Sequence, residues 1–122
     1  MYTNTLPQRL YTAQNTVLKA SGDSGALNTV NISNGIILAT VAAASGTTPS
    51  LTFYFEIVDD FGNAYVIAEA SGQQVITTGP VTLALPFGQQ AGYTLSSVGK
   101  VGWLITGTNP SFTGVDIQVV GR

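Results

Sequence analysis

Apolar and polar residues alternate along much of this chain with a period of two. Leu51, Phe53, Phe55 and Ile57 fall on one face, and Thr52, Tyr54 and Glu56 on the other. That is the pattern of a strand with one buried side. Val81, Leu83 and Leu85 alternate with Thr82 and Ala84, and Val101, Trp103 and Ile105 with Gly102, Leu104 and Thr106. Ile36–Ala44 is nearly continuous in apolar residues and predicts a central strand covered on both faces, or on one face by a partner. Shorter strands are expected at Leu27–Ile32, Ala64–Ala70, Val75–Thr77 and Tyr93–Leu95, with turn signals at Asn34-Gly35, Asp59–Asn63 and Gly79-Pro80 and a stop at Pro86. No long segment has helical periodicity. The pattern predicts an all-β fold: a single β-sandwich, jelly-roll-like or Ig-like, of eight or nine short strands.

One stretch occurs twice. Gly46-Thr47-Thr48-Pro49-Ser50-Leu51-Thr52 is echoed by Gly107-Thr108-Asn109-Pro110-Ser111-Phe112-Thr113, and each copy follows an apolar run. Glycine permits positive φ and proline withholds a donor, so each copy reads as a turn joining the two strands of a hairpin. Two copies make neither a solenoid nor a propeller; they fit one sandwich with a hairpin in each half. The copies differ in phase. After Pro49 the apolar positions stay odd-numbered, whereas Phe112 and the later Val115, Ile117 and Val119 fall on opposite phases. A one-residue slip turns side chains to the other face, so a β-bulge is expected near Thr113–Gly114.

Residues 1–26 are polar and weakly patterned, and Pro7 argues against an early central strand. They are expected to form an extended N-terminal arm with one short strand at Thr16–Ala20, either a disordered terminus or an arm that orders against a partner or a neighbouring subunit, followed by the sandwich domain, residues 27–122. Apolar side chains on such an arm, Tyr2, Leu6, Leu10 and Tyr11, are candidate protein-contact residues, and so is Phe61, an apolar residue in the Asp59–Asn63 turn.

The chain has 122 residues, which suggests one domain. Only 8% are charged, against about 25% in ordinary soluble domains, which suits a protein docked in an assembly. The net charge is −2, and the basic residues Arg9, Lys19, Lys100 and Arg122 are scattered. No footprint for nucleic acid and no polybasic membrane patch results, and the longest apolar run is too short to span a bilayer. The first residues lack the charged and apolar regions of a signal peptide, so none is expected.

Cysteine and histidine are both absent. Disulfides, histidine-dependent triads, cysteine nucleophiles and His/Cys zinc sites are therefore excluded. Glu56 and Glu69 lie on strands joined by one turn and could face each other as a glycosidase pair, but two solvated charges explain them as well. Asp59, Asp60 and Asn63 could offer oxygens to calcium, yet they are ordinary turn residues. Tyr54 and Tyr65 could stack on sugars or anchor a protein; Trp103, between Val101 and Ile105, belongs in the core. No cofactor, metal or enzymatic activity is expected.

An apolar strand, Ala44-Ser45-Gly46-Thr47-Thr48-Pro49-Ser50-Leu51-Thr52, an aromatic strand, Asp59-Asp60, a short return strand and a final Gly107-Thr108-Asn109-Pro110-Ser111-Phe112-Thr113 strand together resemble small capsid decoration (cement) proteins of tailed bacteriophages. The resemblance runs over Ile36–Arg122. It implies a structural virion protein on the outer capsid surface that stabilises the shell by bridging coat subunits. Its partner would be the major capsid protein, and it would act as a homo-oligomer, a trimer or a dimer. Phe61 departs from the polar or glycine-rich turn that such proteins often carry after the paired aspartates. The alternative is a carbohydrate- or receptor-binding module of a phage fibre.

Overall fold

The computed structural model describes residues 7–122. The fold is all-β. Its strands are β1 (Gln8–Leu18), β2 (Gly22–Asp23), β3 (Leu27–Asn28), β4 (Asn34–Val41), β5 (Ala43–Val58), β6 (Ala64–Glu69), β7 (Val81–Gly88) and β8 (Val98–Gly121). Two single 3-10 turns, Gly72–Gln74 and Gln89–Ala91, complete it.

β8, 24 residues long, organises the sheet. One of its edges pairs with β5 and then β4, and the other with β3, β2 and β1, all antiparallel. β6 adds to the outside of β5 and β7 to the outside of β4, giving the order β6-β5-β8-β4-β7. All eight strands thus belong to one continuous sheet, bent so that its two halves face each other. Leu51, Phe53, Phe55, Val101 and Trp103 from one half meet Ile37, Val41, Leu83, Leu85, Phe87, Val115, Ile117 and Val119 from the other in a single core. Phe55 and Phe87 stack across it, with centroids 3.7 Å apart and planes 8° from parallel. The rings lie over Gly99 and Gly35, where a Cβ would collide with them.

The duplicated stretch departs from the hairpin expectation. β4 and β5 do not form a hairpin; they follow one another along the same edge of β8. The two copies lie in the middle of β5 and β8 and pair with each other: Ser45 with Ser111, Thr47 with Thr108, Ser50 with Thr106. The arrangement has a local two-fold relation, because exchanging the copies turns the first pair into the third. Gly46 and Gly107 take φ of 108° and 117°, and Thr48 and Asn109 take 47° and 49°. Each copy therefore carries a bulge, not a reversal. Register lost between Ser45 and Thr47 is regained between Thr47 and Ser50, so the strands bend together and stay paired.

Other differences have local causes. The expected arm is extended, but from Gln8 it runs along β8 of its own chain, with Arg9 opposite Val120 and Leu18 opposite Phe112. β7 continues through Pro86, which an edge strand tolerates because the missing N–H faces away from the ladder. Leu27–Ile32 keeps only two strand residues, Val75–Thr77 contributes the single bridge Leu51–Ile76, and Tyr93–Leu95 is irregular.

The bulge expected at Thr113–Gly114 is present. Four residues of β8, Phe112 to Val115, oppose three of β1, Thr16 to Leu18, and Gly114 has φ of 60°. Its missing Cβ would press on the Ala42 methyl. A β-branched residue is strained at that φ. Gly114→Val is expected to cost about 2 kcal/mol or more, lowering the urea midpoint by about 1 M; an unchanged midpoint would contradict the bulge. Deleting Met1–Ala20 takes β1 with it and exposes one edge of Phe112–Gly121. The truncated chain is therefore expected to lose its cooperative melting transition, read by circular dichroism.

Candidate functional site

At one end of the molecule Asn28 and Val58 flank Val98, while Gln8 and Gly35 flank Gly121. The β5–β6 loop leaves from this end. It is a tight turn in which the Asp59 amide donates to the Asn63 carbonyl (2.9 Å) and the Gly62 amide to the Asp59 carbonyl (3.2 Å). The Asp59 carboxylate staples it. One oxygen accepts from the amides of Phe61 (2.9 Å) and Asn63 (2.8 Å), the other from the Asn63 side-chain amide (3.2 Å) and the Tyr65 hydroxyl (2.9 Å). The Asn63 amide bond, with those from Tyr65, the Asn63 side chain and Phe61, holds this carboxyl below the usual carboxylate range. The Tyr65 hydroxyl, donating to Asp59 and facing its charge, is raised above the usual phenol value.

The staple presents Phe61 at its tip, 88% exposed. It thereby removes much of the freedom that a contact would otherwise have to freeze. Of the other candidate contact residues, Leu10 and Tyr11 are half-buried and pack against the protein's own core. Tyr2 and Leu6 lie outside the described residues.

The carboxylate candidates Glu56 and Glu69 are not paired directly across the two strands. Glu56 pairs with Val66 and Lys100, whereas Glu69 pairs with Tyr54, and a bulge at Ile67 separates the two positions. Both Asp59 oxygens are taken up by the loop, and among the described residues no three acidic side chains gather as a metal site would require. Trp103 is buried in the core. Tyr54 lies across Gly102 in a cross-strand row that runs Asp23, Gly102, Tyr54, Glu69. Burial first, then the Glu56 and Asp23 charges, push its hydroxyl up.

Pattern reading did not reveal the outer face of the half built from β1, β8, β4 and β7. Its rows are Pro86–Ile36–Val120–Arg9 and Ala84–Leu38–Gln118–Thr12. A shallow depression of about 620 Å³ lies over Leu38, Thr40, Ala84, Asp116 and Gln118. A smaller apolar pocket of about 250 Å³ is lined by Pro7, Ile36, Pro86, Val120 and Arg122, with Gly35 and Gly121 beneath.

The loop's pH response follows from Asp59. Its folded value lies below that of a free aspartate, so the staple is complete above about pH 4 and is lost as pH falls through the lowered value. The Phe61 and Asn63 amide resonances are expected to shift together in that acid range. Asp59→Asn removes the charge facing Tyr65, so the Tyr65 hydroxyl is expected to titrate closer to about 10. A Tyr65 titration unchanged in the variant would contradict the staple.

No protein-family model matches the chain, and neither does any curated protein. Among solved structures, the chain is similar to the crystal structure of the SPBc2 prophage-derived protein YomS, with 16% identity over 99% of this chain and 96% of that one and a TM-score of 0.48.

Proposed function

We propose that this chain is a structural protein of a bacteriophage particle, held on the outer capsid surface as a homo-oligomer that bridges subunits of the major capsid protein. The observation that carries the reading is Phe61: a large apolar side chain, 88% exposed, on a loop fixed by four hydrogen bonds to one carboxylate. Exposed aromatics of this kind are typical anchors of protein contacts. A surface with very few charges and no cysteine or histidine fits docking better than catalysis. Stabilisation would follow from mass action, since a clip that binds only the assembled lattice favours that lattice. Linked copies would add avidity.

Tyr54 favours a second reading. A tyrosine laid across Gly102, with Asp23 and Glu69 in its row, would serve as a platform for a sugar ring, as in a carbohydrate- or receptor-binding module of a fibre.

The protein is expected to co-sediment with expanded phage capsids and to raise their melting temperature. Phe61→Asp is expected to weaken that binding at least about tenfold, equivalent to about 1.4 kcal/mol, without changing the protein's own melting point. Binding to a glycan array with no affinity for shells would replace this reading by the second.

A further inference from the structure

We propose that copies of this chain join to one another, Phe61 of one copy filling the Ile36–Pro86–Val120 pocket of another; this rests on the reading of Phe61 as a contact residue and names what it contacts. The knob and the socket match in chemistry and size. Phe61 stands almost fully exposed on a stapled loop. The socket is lined by Pro7, Ile36, Pro86 and Val120 and holds about 250 Å³. An enclosed apolar cavity of about 150 Å³ admits benzene, so this open pocket has the volume for a phenyl ring.

Charge matches as well. Asp60 is exposed beside Phe61. Arg122 lines the socket, and Arg9 stands opposite Val120 on the adjoining strand. A basic residue therefore lines the socket and a second stands on the adjoining strand, while an acidic residue flanks the knob.

Phe61 leaves from the β5–β6 end of one half of the sheet, whereas the socket lies on the outer face of the other half. Knob and socket are thus different patches, so two copies that fill each other's sockets at once form a closed two-fold pair, and copies that cannot do so join by a heterologous contact. Such a contact closes into a ring when its rotation permits and otherwise extends as a filament. A closed ring would suit a symmetric position on a shell.

Sedimentation velocity of the full chain tests this. The unaltered protein is expected to self-associate with a Kd of about 10 μM or tighter. Phe61→Asp and Val120→Asp are each expected to weaken association at least about tenfold. Pro86→Asp, at an exposed edge-strand position, repeats the socket test should Val120→Asp unfold. Mixed together, a knob variant and a socket variant retain one intact contact, so they are expected to form one-to-one pairs and nothing larger. Asp60→Arg is expected to weaken association and Arg122→Asp to restore it in part.

A monomeric unaltered protein, a socket variant that assembles normally, or a mixture that forms no pairs would each overturn the proposal. Co-sedimentation with capsids separates it from the functional reading. Oligomers that depend on knob and socket but ignore shells would uphold this contact and remove the capsid role. Shell binding by a protein that is monomeric in solution would do the reverse.

Discussion

Two strands hydrogen-bonded along their length can change direction only together. β5 and β8 do so where their matching Gly-Thr-x-Pro-Ser stretches pair, and each bulge compensates the register shift of the other. Because the bend keeps its ladder, one strand serves both halves of the sheet, and the apolar faces of those halves close on each other. The Phe55–Phe87 stack then fixes their separation, its two rings seated over Gly99 and Gly35.

Much of the interior was legible in the sequence. Strict alternation over Leu51–Ile57, Val81–Leu85 and Val101–Ile105 marks inward faces without knowledge of what lies opposite, because side-chain period depends only on the local backbone. The phase slip at Gly114 was legible for the same reason. β1 was not, because it carries extra residues at Leu10 and between Ala13 and Thr16, where Asn15 adopts φ of 51°. Each extra residue shifts the phase, and the strand's apolar spacing looks irregular. The duplicated stretch was recognisable, but its geometry was not. A glycine at positive φ followed by Thr or Asn can reverse a chain or bulge it, and a partner some sixty residues distant decides which.

The candidate site divides in the same way. Phe61 stood out as an apolar residue in a turn of aspartates, glycine and asparagine, a local anomaly. The role of Asp59 as the centre of the loop follows from geometry that residue types suggest but do not specify, since paired aspartates equally suit a cation. The apolar pocket had no local signal. Pro7, Ile36, Pro86 and Val120 are apart in sequence and meet only because β4 and its neighbours bring them side by side.

The placement of β8 has a consequence for how the molecule comes into being. Five strands, β1 to β5, share β8 as their partner, and all of them precede it in the chain. A ribosome delivers them first, with their apolar faces formed and no common template to align on. The β4–β7 and β5–β6 pairs can form early, but the two halves of the sheet cannot join until β8 emerges. Such dominance of distant pairings makes for slow folding and prolonged exposure of sticky intermediates, a burden that falls on the chaperones of the cell that makes it.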